Sequence, residues 1–298
     1  MMTVLGTGIS WTNSTWNPWV GCRPVSEGCK FCYAAGIVNN PYFKFGHRFD
    51  EVRIHLNRLV QVGKFRPIPT GAGVEPHKVF VNSMSDFFIE DVPDTAIHQA
   101  LDAMEGAPDV VFQILSKRPI RARKVITDRF GGGRGVPEHI WFGFSAEDNR
   151  VAARIRILRG IKERVGSMVA FLSVEPIVGP TDALDFTDMS WVITGGESGA
   201  SARVMPRPWL MPAVERALSA NVPLWHKQHG QILSHPNIDR AADVRSLKGK
   251  LAWLVENGWE KLPKEKGGAT IDGVTYRAFP VAYDRLTKRL NASRASLV

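Results

Sequence analysis

The stretch GCRPVSEGCKFCYA, Gly21 to Ala34, holds Cys22, Cys29 and Cys32, which are all the cysteines of the 298-residue chain. Three is an odd number, so a disulfide would strand one thiol. Cys29 and Cys32 are also too close for an ordinary long-loop staple. A zinc site needs a fourth ligand. The nearest histidine is His47, which has no second partner at finger-like spacing. Three thiolates on a [4Fe–4S] cube satisfy three irons and leave the fourth free to bind a small molecule. The spacing therefore favours a cluster. A zinc site and an incidental grouping stay open beside it.

Short apolar runs follow the cysteine stretch, each ending in a polar or glycine-containing turn. They are KVFVNSMSD (Lys78–Asp86), VVFQILSKRP (Val110–Pro119), IWFGFSAED (Ile140–Asp148), VAFLSVEPI (Val169–Ile177), WVITGGESG (Trp191–Gly199) and PLWHKQHG (Pro223–Gly230). Continuous Val, Ile and Phe over so few residues predicts buried parallel strands. An earlier strand is expected in TWNPWVG, just before Cys22. Between the runs, 94–104, 149–164 and 211–218 space their apolar residues as helices do. Strands alternating with helices predict a full or partial (βα) barrel with six or seven repeats.

Such a barrel gathers the residues that follow its strands at one mouth. They include Ser83, Ser85 and Asp86; Ser116, Lys117 and Arg118; Ser145, Glu147 and Asp148; Ser173 and Glu175; Gly195, Gly196 and Glu197; and His226, Lys227 and Gln228. The cysteine loop joins the same rim. Ordinary turns and helix caps are the alternative for any one of them, Ser145 to Asp148 above all.

Beyond Gly230 the chain turns polar and mixed. Residues 1–230 are read as the barrel and 231–298 as an extension packed on it. Within the extension, Gly267–Pro280 predicts a hairpin around Asp272–Gly273, and Arg285–Arg294 a basic tail helix. The glycine run Gly131–Gly135 reads as a loop.

Hydrophobic content of 44% and mean hydropathy of −0.12 fit a globular protein. No apolar run approaches the ~20 residues of a membrane span, and the first residues lack the features of a signal peptide. A cytoplasmic setting is the expectation, where three thiols stay reduced. The net charge of +9 suits a polyanionic partner.

The CKFC pair, the third cysteine upstream and the barrel together resemble the radical S-adenosylmethionine superfamily. More closely, the chain resembles a phage-associated three-cysteine-motif family of unknown function. The matching pieces are WTNSTWNPWVGC, GCKFCYA, NSMSDFF, LSKRP, FGFSAED, LSVEPIVG, GGESG and HKQHG, from Trp11 to about Gly230. One departure is visible: Arg23–Gly28 separates the first two cysteines more widely than the usual radical-enzyme pattern does.

The resemblance implies a [4Fe–4S] cluster on Cys22, Cys29 and Cys32. Its open iron would chelate S-adenosylmethionine. One electron, from a donor such as flavodoxin or ferredoxin, would yield a 5′-deoxyadenosyl radical that takes hydrogen from a substrate. Ser85 and Asp86 are then candidates for the methionine amine, Phe31 for the adenine, and Ser145 and Glu147 for the ribose. Gly195 and Gly196 would admit close backbone approach, with Glu197 beside them. The GGE tripeptide follows a later strand than in radical enzymes, so its amine-holding role is not carried over. Glu175 would need a cationic partner, Lys117 or Lys227. No catalytic residue is singled out.

DNA, RNA or a nucleotide is the expected substrate class, from charge. Arg150, Arg154, Arg156, Arg159, Lys162 and Arg164 crowd one segment, and Arg118, Arg121, Arg123 and Lys124 another. Trp11, Trp16 and Trp19 near the cysteine loop offer stacking surfaces, or else core packing. Two other classes remain: a zinc-stabilised nucleic-acid-binding protein using His47, and a non-radical barrel hydrolase or lyase.

Overall fold

A computed structural model describes residues 7–198, 202–230 and 270–296. The first strands are β1 (Ser14–Trp16), β2 (Trp19–Val20), β3 (Arg53–Ile54), β4 (Ile68–Thr70) and β5 (Gly73–Glu75). The expected runs become β6 (His77–Val81), β7 (Val110–Ser116), β8 (Ile140–Ser145), β9 (Val169–Val174), β10 (Trp191–Thr194) and β11 (Leu224–His226). β1 and β6 to β11 form one seven-stranded sheet in the order β1-β6-β7-β8-β9-β10-β11, every pairing parallel. β1 and β11 are the sheet's edges, so the barrel is partial. TWNPWVG divides: its first part supplies β1, while β2 leaves the sheet and pairs antiparallel with β3.

Crossover helices connect the later strands, except that β9 runs to β10 without one, against the expected alternation. They are α2 (Asp94–Glu105), α3 (Pro119–Phe130), α4 (Ala153–Val165) and α5 (Arg207–Ser219). The short α1 (Tyr33–Val38) follows the cysteines instead. Alternation along each strand sorts the core into two layers. Val79, Phe112, Ile114, Phe142, Phe144, Leu172 and Val192 share one apolar cluster with Ile97, Ile126 and Leu158 of the helices. Phe80, Val111, Trp141, Phe171, Trp191 and Trp225 face the other way.

That second face is covered by the C-terminal helix Val281–Ala295, through Ala282, Tyr283 and Leu286. Lys78 is buried at its foot. Its Nζ donates to the Tyr283 hydroxyl at 2.6 Å and stands 3.3 Å from Glu75. Asn291 donates to Val74 O at 2.7 Å and accepts from Val74 N at 2.9 Å, fastening the helix to β5. The predicted hairpin is present as β12 (Thr270–Ile271) and β13 (Val274–Thr275), with Asp272 and Gly273 both at positive φ. Residues 231–269 of the expected extension lie outside the described residues. Among the described residues no helix is long and apolar enough to cross a membrane.

Trp11, Trp16 and Trp19 are buried at 3%, 1% and 0% exposure, which removes them as stacking surfaces. The sheet needs wide apolar side chains to fill its two faces, and these rings supply them.

His226 ends β11 with no exposed surface, its Nδ1 2.9 Å from the Thr194 hydroxyl. Burial, then His229 and Arg277, push its imidazole down from 6.5 to about 3, so the folded chain keeps it neutral. The unfolded chain binds a proton near the ordinary value. The stabilisation is therefore present above pH 6.5 and is lost as pH falls towards 3, by up to about 1.4 kcal/mol per pH unit. Denaturant melts between about pH 7 and 4 should show this slope, and His226→Asn should flatten it. An equal slope in both proteins would refute the assignment.

Candidate functional site

Parallel strands end on one side of a sheet, and here each of the seven ends in a polar residue or is followed within a few positions by one. What lies across those ends is the cysteine loop. It starts at Gly21, whose φ of +108° and close backbone neighbours leave no room for a side chain: a Cβ there would sit 2.6 Å from Glu51 O. Gly21 bridges to Ser85 after β6, its N donating to Met84 O at 3.0 Å while the Ser85 hydroxyl donates to Gly21 O at 2.5 Å. Asn17 supports the same corner, accepting from Met84 N at 2.8 Å and the Ser83 hydroxyl at 3.2 Å.

After β7, Arg118 reaches the loop. Its Nη2 donates to Arg23 O at 3.0 Å and lies 3.9 Å from the Cys22 sulfur, while Nη1 pairs with Glu90 at 2.5 Å. Burial, and next the Asp86 carboxylate, push the Cys22 thiol up to about 11, against the pull of Arg118.

After β8, Glu147 lies under the loop at 1% exposure. It accepts from the Ser26 hydroxyl at 2.6 Å and from Arg154 at 2.8 Å, and Lys117 Nζ stands 3.4 Å away. Gly28 packs directly on it: a Cβ would come 2.6 Å from Glu147 Cγ. Lys117 also donates to the Ser145 hydroxyl at 2.9 Å. Burial opposes the charge on Lys117, but Glu147 and then Cys29 hold its pKa above the ordinary value.

After β10, Glu197 is buried and bound by Arg203 through Nε at 2.9 Å and Nη2 at 2.7 Å. Arg203 continues to the loop, donating to the Glu27 carboxylate at 2.8 Å and to Glu27 O at 3.1 Å. Its guanidinium lies 5.2 Å from the centre of the Phe31 ring. The ends of four strands thus hold one loop. Cys22 and Cys32 pack on the small apolar cluster of Val20, Ala34, Val38 and Phe49, and all three thiols are partly exposed.

The sequence candidates divide by what they touch. Asp86 is engaged internally: it accepts from the Ser116 hydroxyl at 2.7 Å, Lys117 N at 2.8 Å and Phe88 N at 2.9 Å. Ser85, Ser145, Glu147 and Glu197 likewise spend their polar atoms on the loop or on its supports. Gly195 and Gly196 admit a close approach of chain, not an open space. Gly196 N donates to Gln228 O at 2.9 Å, and a Cβ on Gly196 would meet His229 O at 2.6 Å. Glu175 pairs with Lys227, as its need for a cation implied, and Lys117 goes to Glu147 instead. Arg203 was missed by sequence reasoning. It sits in no motif, and only the fold carries it to Glu27.

The two arginine-rich segments differ from expectation. Arg154 is buried on Glu147 and Ser145 O, Arg150 pairs with Asp148, and Arg159 with Asp185. Arg121 and Lys124 pair with Asp94. These cations close ion pairs along helix and loop surfaces, so most are not free for a phosphate. His47 is half-buried, with Nδ1 2.9 Å from Arg48 O. Among the described residues no three His, Cys, Asp or Glu side chains already form a metal-holding group, with or without His47. A metal or cluster would have to draw the thiols together.

Glu147 and Ser26 separate fold from loop. Glu147→Ala leaves Lys117 and Arg154 without their anion and should cost about 3–5 kcal/mol, read as a lowered denaturant midpoint. Ser26→Ala removes one hydrogen bond, worth about 1 kcal/mol. It should speed amide exchange across 26–32 while barely moving the midpoint. Equal exchange in Ser26→Ala and the parent would show that Glu147 does not hold the loop.

Comparison with curated proteins gave no match. Among solved structures the chain is similar to spore photoproduct lyase complexed with dinucleoside spore photoproduct, at 15% identity and a TM-score of 0.44 over 72% of this chain. A substituted form of that lyase, with bound AdoMet and the same dinucleoside, gives 13% identity and a TM-score of 0.42 over 72% of this chain. The chain spans 63% of the length of these proteins. The model of one family, described as proteins of unknown function (DUF5131), matches residues 6–280, and the chain belongs to that family.

Proposed function

We propose that the protein is a radical S-adenosylmethionine enzyme that holds a [4Fe–4S] cluster on Cys22, Cys29 and Cys32 and acts on a nucleic acid or nucleotide. One observation carries the reading: every cysteine of the chain lies on a loop strapped across the polar ends of a parallel sheet. The donor set fits a cluster, being three thiols with no imidazole among them. Of the neighbouring charges, Arg118, 3.9 Å from the Cys22 sulfur, favours a thiolate there, while burial and Asp86 oppose it; a bound cluster would supply the remaining positive charge through its irons.

Once bound, such a cluster supplies electron transfer and a coordination position for S-adenosylmethionine. The chain's own residues do the rest. Glu147, Arg203 and Ser85 fix the path of the loop. Phe31, with Arg203 against its ring, offers a flat apolar surface beside the last cysteine. The Glu175–Lys227 pair, at the ends of β9 and β11, leaves each side chain partly exposed and able to orient a zwitterion. The aromatic layer beneath keeps water from the sheet's inner face. The net charge of +9 supports a phosphate-bearing substrate.

Anaerobic reconstitution should give about four irons and four sulfides per chain, with broad visible absorption. Changing any one cysteine to Ala should remove most of both. The reduced protein should convert S-adenosylmethionine to 5′-deoxyadenosine. Zinc in place of iron, or iron content indifferent to the cysteines, would overturn the cluster. A loaded, reduced protein that leaves S-adenosylmethionine intact would overturn the radical reading.

A further inference from the structure

Arg121, Arg129, Arg154 and Arg159 of α3 and α4 close ion pairs, and a second concentration of positive charge lies elsewhere. Residues 41–66 hold six Lys or Arg against Asp50 and Glu51. Lys44 and Lys64 make no ion pair among the described residues, whereas Arg48 pairs with Asp50 and Arg53 with Glu51. The same segment concentrates exposed apolar surface. Tyr42 is 83% exposed, Phe43 52% and Phe45 39%, in a chain whose tryptophans near the loop are buried. Six of the twelve large hydrophobic side chains exposed among the described residues fall between 42 and 60.

These rings are held in place. Asn40 caps the single turn Pro41–Phe43 by accepting from Tyr42 N at 3.0 Å, and Lys44 ends it at a φ of +50°. Tyr42 and Phe43 stand edge to face, 5.5 Å apart. Beside them an open concavity of about 570 Å³ is lined by Val38–Pro41 and Lys44–Arg48. Along the chain, α1 and Asn39–Asn40 lie between Cys32 and this surface.

We propose that Pro41–Arg48 is a docking platform for single-stranded nucleic acid. Exposed rings interleaved with cations suit it: bases stack on the aromatic faces and phosphates meet Lys44 and its neighbours. A protein partner would also use the rings, but would need an acidic surface to match the surplus of positive charge, whereas every nucleic-acid strand carries negative charge along its backbone. A duplex keeps its bases stacked on one another and offers none to the rings. The platform would present an unstacked base a short stretch of chain beyond the thiols. This rests on the nucleic-acid reading given above and specifies the form of the strand.

The test is fluorescence anisotropy of labelled single-stranded and duplex DNA and RNA oligonucleotides on the full chain, purified anaerobically, at low and raised salt. Binding should favour single strands and weaken steeply with salt. Tyr42→Ala with Phe43→Ala should weaken it by about tenfold or more, and Lys44→Gln should lower the salt slope by about one phosphate contact. Arg123→Ala with Arg156→Ala, on α3 and α4, should leave it unchanged. Iron content and S-adenosylmethionine cleavage without substrate, measured on the same preparations, should not change in any of these variants. Oligonucleotide binding lost in the ring variant but with no cluster in the parent would uphold the platform and sink the radical reading. A preference for duplex, binding indifferent to Tyr42 and Phe43, or a parent that ignores nucleic acid and binds a protein through these rings would overturn the platform, whatever the cluster does.

Discussion

Glu147 is a carboxylate with almost no access to water, seated between two cations and a serine hydroxyl. Taking such a charge out of solvent is expensive unless every oxygen finds a partner. Lys117 comes from the end of β7, Arg154 from α4 and Ser26 from the cysteine loop, so the partners exist only when all three pieces are in place. The loop is therefore not an appendage of the sheet. Its seat is one side of a charge cluster that the sheet needs closed. Gly28 belongs to the same constraint, since any side chain there would occupy the carboxylate's space.

Three further ties repeat the logic with other chemistry. Ser85 uses a hydroxyl and a backbone bridge, Arg118 its fork to a main-chain carbonyl, and Arg203 a fork shared between Glu197 and Glu27. Each tie begins just after a different strand. A loop without regular structure gains its shape from the strand ends beneath it, and a sheet places those ends reproducibly.

Much of this was legible in the residues. The continuous apolar runs marked the strands because parallel strands are buried on both faces, and the rim followed from what comes after them. The hairpin needed only local chemistry, since Asp272–Gly273 announced its turn directly. Other features were hidden for a physical reason. Whether Asp86 or Glu147 is open to a ligand depends on donors 30 and 121 residues away, and spacing carries no record of them. The arginines of 150–164 read as a basic face because acidic partners of Arg150 and Arg159, namely Asp148, Asp185 and Asp188, lie on loops before or beyond the α4 helix. The tryptophans offered as stacking surfaces are buried, and the rings at 42 to 45, to which the residues alone assigned no role, are exposed. Aromatics default to the core, and only the interleaving in PYFKFGHR, two cations and a histidine among three rings, hinted otherwise.

The helix Val281–Ala295 lies over Trp141, Trp191 and Trp225, and it follows every strand of the sheet in the chain. Until residues 281–295 have been synthesised, the sheet's aromatic face lacks that cover. The nascent protein thus passes through a stage with a broad sticky surface, the kind of species that aggregates or recruits chaperones. Synthesis of this one helix, far downstream of the cysteines, brings that stage to a close.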